Sequence, residues 1–197
     1  MKKGAPVSKK QLDAAAMDVQ TELAGIGLWH EGSRLLKTEV YWCRFPQITA
    51  PAALGFFLHG SNVWDSLIGY EAGHIYIPQW VLLHGPWQRR GSLRGVVRHE
   101  LAHALAHKYP QLIQRSVRFV DVFGGRYYDG DFPDDWDSDF VSDYASTSPC
   151  EDFAEMFALY LRSSGDLPDG FDTPSIRRKW RFIRDAARII SRGGCKW

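Results

Sequence analysis

The sequence predicts an α+β fold on three observations. Residues 92–108 carry Leu93, Val96, Val97, Leu101, Ala104 and Leu105 at helical spacing. Segments 39–45, 54–58 and 74–78, rich in aromatic and branched residues, read as short strands. With 45% of its 197 residues hydrophobic, the chain can bury one substantial core. We expect one domain over 1–197, with an N-terminal helix at 8–28, a core at 36–165 and a basic C-terminal helix at 173–192.

Leu12, Ala15, Ala16, Val19 and Leu23 form one apolar face of the first helix, which Gly25 and Gly27 end. The three strands suggest a small mixed or antiparallel sheet packed on the helix that follows. In His74-Ile75-Tyr76-Ile77-Pro78 the proline suits an edge strand able to pair with an extended peptide, and a core strand reads equally well.

Ser92 caps the helix of residues 92–108, and Tyr109-Pro110 stops it, because proline disfavours helix in the residue before it. Within this helix lies His99-Glu100-Leu101-Ala102-His103, an H-E-x-x-H pattern. Residues four apart lie on one helix face about 6 Å apart, so His99 and His103 can hold one metal ion while Glu100 reaches a water on it. That is the hydrolytic half-site of zinc peptidases. A catalytic zinc takes a third protein ligand and keeps one position open. His107 continues the spacing but lies about 12 Å along the axis from His99, too far to complete a tetrahedral site. It reads as a surface or supporting residue.

Downstream, Ser148-Pro149 starts another helix, with Glu151 and Asp152 in its acidic first turn and Phe153, Phe157, Tyr160 and Leu161 on its apolar face. Glu151 and Glu155 are again four apart. One carboxylate can bind zinc while the other accepts the free ring N–H of a ligating histidine. Between the two helices, Asp129–Asp139 reads as a long acidic, solvated loop. Along the last helix, Ile176, Trp180, Ile183, Ala187 and Ile190 make an apolar stripe, and Arg177, Arg178, Lys179, Arg181, Arg184, Arg188 and Arg192 cover the other faces.

H-E-x-x-H followed by E-x-x-x-E on a second helix resembles the gluzincin metallopeptidases, of zincin-like fold. The segment Tyr144–Phe157 is similar in order and spacing to the catalytic domain of anthrax lethal factor. It is more similar still to bacterial zinc-binding peptidases carrying Y-A-x-x-x-P-x-E-D-F-A-E-x-F. The resemblance covers roughly residues 76–161. It implies His99, His103 and Glu151 as ligands of one Zn2+ per chain, Glu100 as general base, Glu155 as support for a ligand and Tyr144 as transition-state donor. Asp152 is not expected to bind metal.

The function expected is zinc-dependent hydrolysis of a peptide bond in a protein or peptide. Two alternatives stand beside it: a catalytically silent metal-binding interaction module, and a nucleic-acid-associated protein using the basic last helix. A net charge of +1 argues for a solvated basic face over a nucleic-acid surface. The basic N-terminus lacks the apolar stretch of a Sec signal peptide, and three scattered cysteines do not make a disulfide framework. The cytoplasm is therefore the expected location, export by a dedicated secretion system being compatible with the same features. No run of about 18 apolar residues suggests a membrane span.

Overall fold

Helix α1 (Lys9–Gly25) begins where Ser8 and Gln11 cap each other, the Ser8 hydroxyl accepting the Gln11 amide while the Gln11 side chain accepts the Ser8 amide. The computed structural model describes residues 8–43, 55–60, 70–78, 92–133 and 136–197. Leu12, Ala15, Val19 and Leu23 form the buried face of α1, as their spacing predicts.

Strands β1 (Val40–Cys43), β2 (Phe56–Phe57) and β3 (Ile75–Pro78) form a mixed sheet of order β1-β3-β2. β1 runs parallel to β3, with Val40 opposite Ile75, and β2 runs antiparallel to it, with Phe56 opposite Tyr76. Of the two readings of residues 74–78, the central strand is the one observed, with all four residues of β3 buried. Pro78 ends that strand rather than marking a sheet edge. Phe45 and Leu54, at the ends of the other expected strands, lie outside the described residues.

Helix α2 (Leu93–Lys108) carries H-E-x-x-H and starts at Ser92, whose hydroxyl accepts the Gly95 amide at 3.1 Å. It packs on α1 and on strands β2 and β3. Its buried Arg98 is held in a two-pronged pair by Glu22 of α1, Nε to Oε2 at 2.7 Å and Nη2 to Oε1 at 2.6 Å. Such planar pairing offsets the cost of removing a guanidinium from water.

A helix not anticipated from the sequence follows, α3 (Val117–Phe123), capped by Ser116 and stopped by Gly124 at φ 74°. A side chain at Gly124 would meet the Trp136 indole at 2.3 Å, so glycine serves both the left-handed turn and the close packing. Helix α4 (Pro149–Arg162) starts at Ser148-Pro149 as expected, with proline in its first turn and no side-chain cap from Ser148. Helix α5 (Pro174–Ser191) ends the fold. Phe119 and Phe123 of α3, Phe153 of α4 and Phe182 of α5 meet in one aromatic cluster, with centroids 4.7–6.5 Å apart. Each ring contributes about 1.5–3 kcal/mol by leaving water.

Lys179 corrects the reading of α5 as a helix whose basic residues all face outward. Its side chain is fully buried, with Nζ 2.8 Å from Asp152 Oδ2 and 2.7 Å from the Asp139 carbonyl. The apolar residues of α5 form so broad a buried face that position 179 falls inside it, and the Asp152 carboxylate compensates the ammonium. Among the described residues, no helix is long and apolar enough to cross a membrane.

Candidate metal centre

The antiparallel packing of α2 against α4 brings His99 and His103 of one helix to Glu151 of the other. His99 Nε2 lies 3.2 Å from His103 Nε2 and 3.0 Å from Glu151 Oε2, and His103 Nε2 lies 3.7 Å from the same oxygen. A tetrahedral zinc with bonds of about 2.0–2.1 Å holds its ligand atoms about 3.3 Å apart. The three donors are therefore spaced as they would be around one ion, and they form a cluster compatible with a metal. Glu151 Oε2 is buried and meets neither imidazole in a well-aligned hydrogen bond, as suits an oxygen aimed at a shared centre. Two imidazoles and one carboxylate are also a zinc donor set.

The outer nitrogens of the two histidines have different partners. His99 Nδ1 is 2.7 Å from Glu155 Oε1, and the other oxygen of Glu155 accepts the Ser142 hydroxyl at 2.9 Å. His103 Nδ1 is 2.7 Å from the hydroxyl of Tyr127, a buried residue that the sequence reading did not single out. Only the fold brings Tyr127 to His103, across 24 residues of chain.

Burial works against charge on His99, but its contacts with Glu151 and Glu155 outweigh that and push its pKa up to about 10. Burial likewise opposes charge on Glu151, and the two imidazoles win, holding its carboxyl well below the usual range. Without a metal, the cluster is thus an imidazolium facing carboxylates. Burial raises the pKa of the Tyr127 hydroxyl well above 10, so it is a neutral phenol.

Glu100 is buried at 5% exposure, and together with His99 and Tyr144 it lines a cavity of about 640 Å3 between α2 and α4. The Tyr144 ring centroid is 5.7 Å from that of His99. Gly55, just before β2, lies against this region, since a Cβ there would meet Glu100 Cγ at 3.0 Å. His107 stands apart, its ring centroid 5.3 Å from Phe57 and 5.6 Å from His59. Asp152 points away from the cluster, into the ion pair with Lys179.

Residues 87–173 match the model of a protein family described as "Putative zinc-binding metallo-peptidase". All six candidate site residues fall within that span. An uncharacterized protein of Mycobacterium bovis is 35% identical over 115 residues, covering 51% of this chain and 30% of the relative. Uncharacterized proteins of Mycobacterium tuberculosis strains CDC 1551 and H37Rv match with the same identity and coverage. The chain thus spans less than a third of the length of these curated relatives. No solved structure matches it.

Proposed function

We propose that this chain is a zinc metallopeptidase of gluzincin type that hydrolyses a peptide bond in a protein or peptide. The observation that carries the reading is the convergence of His99 Nε2, His103 Nε2 and Glu151 Oε2 at mutual distances of 3.0–3.7 Å, beside a cavity that Glu100 lines. The family match over residues 87–173 supports the same class.

In this reading His99, His103 and Glu151 hold one Zn2+, and Glu155 fixes the ring of His99 through Nδ1. When bound, the ion supplies a Lewis acid that polarises the substrate carbonyl and acidifies water. Glu100 takes the proton of the attacking water and returns it to the departing amine. Tyr144 donates a hydrogen bond to the carbonyl oxygen as negative charge grows on it. The cavity between α2 and α4 receives a substrate side chain next to these groups.

Zinc content and hydrolysis of a peptide library, measured together on three proteins, test the reading. Wild type should carry about one zinc per chain and cleave. Glu100→Gln should keep zinc and lose hydrolysis, and Glu151→Ala should lose zinc. Cleavage retained by Glu100→Gln, or full zinc in Glu151→Ala, overturns the assignment.

A further inference from the structure

We infer that Tyr127 is the positioning residue for His103, accepting a hydrogen bond from its outer N–H so that the unprotonated inner nitrogen faces the metal. The inference rests on the metal-binding part of the proposed function and is independent of catalysis.

His103 Nε2 points into the cluster, 3.2 Å from His99 Nε2. A neutral imidazole has one ring N–H, and the nitrogen that ligates a metal must be the other one. His103 can ligate through Nε2 only with its proton on Nδ1, and the group 2.7 Å from Nδ1 is the Tyr127 hydroxyl. The phenol oxygen accepts the hydrogen bond from this N–H, which fixes both the tautomer and the ring plane.

The hydroxyl is itself held in place. The Tyr127 ring is 1% exposed, with centroids 5.6 Å from Phe119 of α3 and 6.3 Å from Phe153 of α4. Tyr127 therefore connects three helices at the point where His103 needs a partner. The two ligand histidines are also supported unequally: His99 leans on a carboxylate, which only accepts, and His103 on a hydroxyl, which can accept or donate. His103 is thus the ligand whose orientation depends on a single neutral hydrogen bond.

Tyr127→Phe keeps the ring and removes only the hydroxyl, so the packing survives. Zn2+ affinity should be measured by competition with a chromogenic chelator, with thermal unfolding of the metal-free proteins as the check on folding. Loss of an outer partner of a ligating histidine costs roughly 10–100-fold in metal affinity. We expect a loss in that range for Tyr127→Phe and no change for Tyr128→Phe, its exposed neighbour. In Co2+-loaded protein the paramagnetically shifted ring N–H proton of His103 should be visible in wild type and lost to solvent exchange in Tyr127→Phe, while that of His99 remains. Unchanged affinity with both signals retained overturns the role of Tyr127. Failure of wild type to bind Zn2+ overturns the metal site itself, and this inference with it.

Discussion

Lys179 Nζ stands 2.8 Å from Asp152 Oδ2 with both side chains fully buried, so the last helix reaches the residue next to the candidate ligand Glu151. Burial pushes the Asp152 carboxyl up to about 6 against the pull of Lys179, and pushes the Lys179 ammonium down against the pull of Asp152. Each charge therefore depends on the other.

Removing one partner leaves an uncompensated charge in the core, at a cost of about 3–5 kcal/mol. Lys179→Met should lower unfolding stability by that order in denaturant titration. The double variant Lys179→Met with Asp152→Asn should recover part of the loss, because it removes both charges. Equal losses in the single and double variants would deny the coupling.

Gly55 is closely packed by three side chains. A Cβ there would meet Ile77 Cδ1 at 2.7 Å, Glu100 Cγ at 3.0 Å and Val96 Cγ1 at 3.1 Å. Gly55→Ala should destabilise the protein by about 1–3 kcal/mol through overpacking. It should also reduce peptide hydrolysis more than zinc content, because the Glu100 side chain must give way by a few tenths of an ångström. Wild-type turnover in this variant would show that Glu100 has slack.

Tyr144 lines the cavity with Glu100, its ring near that of His99. If its hydroxyl stabilises the developing oxyanion, Tyr144→Phe should lower kcat by about 100-fold or more with zinc content unchanged. Unchanged kcat would remove Tyr144 from the mechanism.

The metal-free cluster makes stability depend on pH. Folding raises the pKa of His99 from its ordinary 6.5 to about 10, so its contribution is complete below pH 6.5 and disappears as pH rises through about 10. Folding lowers that of Glu151 from its ordinary 4.5, so its contribution is complete above that pH and is lost in acid. The metal-free protein should melt highest between these two ordinary values and lower towards pH 10. The gain in Tm on adding Zn2+ should grow with pH, because protons must leave the ligands first. A flat metal-free profile above pH 6.5 would contradict the His99–Glu151–Glu155 coupling.

What the sequence disclosed follows the range of the interactions involved. The starts of α2 and α4 were legible because Ser92 and Pro149 act on their own first turns, and α2 ends where Tyr109-Pro110 predicts. The pairing of His99 with His103, and of Glu151 with Glu155, follows from a spacing of four on a helix. Helix α3 was missed because seven residues hold too little periodicity, although Ser116, Phe119, Phe123 and Gly124 form a cap, a stripe and a stop. Tyr127 and Gly55 were invisible because their roles arise from contacts across the fold. Lys179 reads as exposed because it sits in a run of basic residues with Arg177, Arg178 and Arg181, and only the breadth of the buried face of α5 separates it from them.

Because Glu22 grips Arg98 from 76 residues upstream, the helix bearing the two histidines is tied to α1. An excised 87–173 fragment would contain every candidate ligand, yet it would leave Arg98 without its carboxylate partner and uncover the faces that α1 and α5 protect. The family match over residues 87–173 therefore holds every candidate ligand but neither the Glu22 carboxylate nor the helices α1 and α5 that pack against the helices of the site.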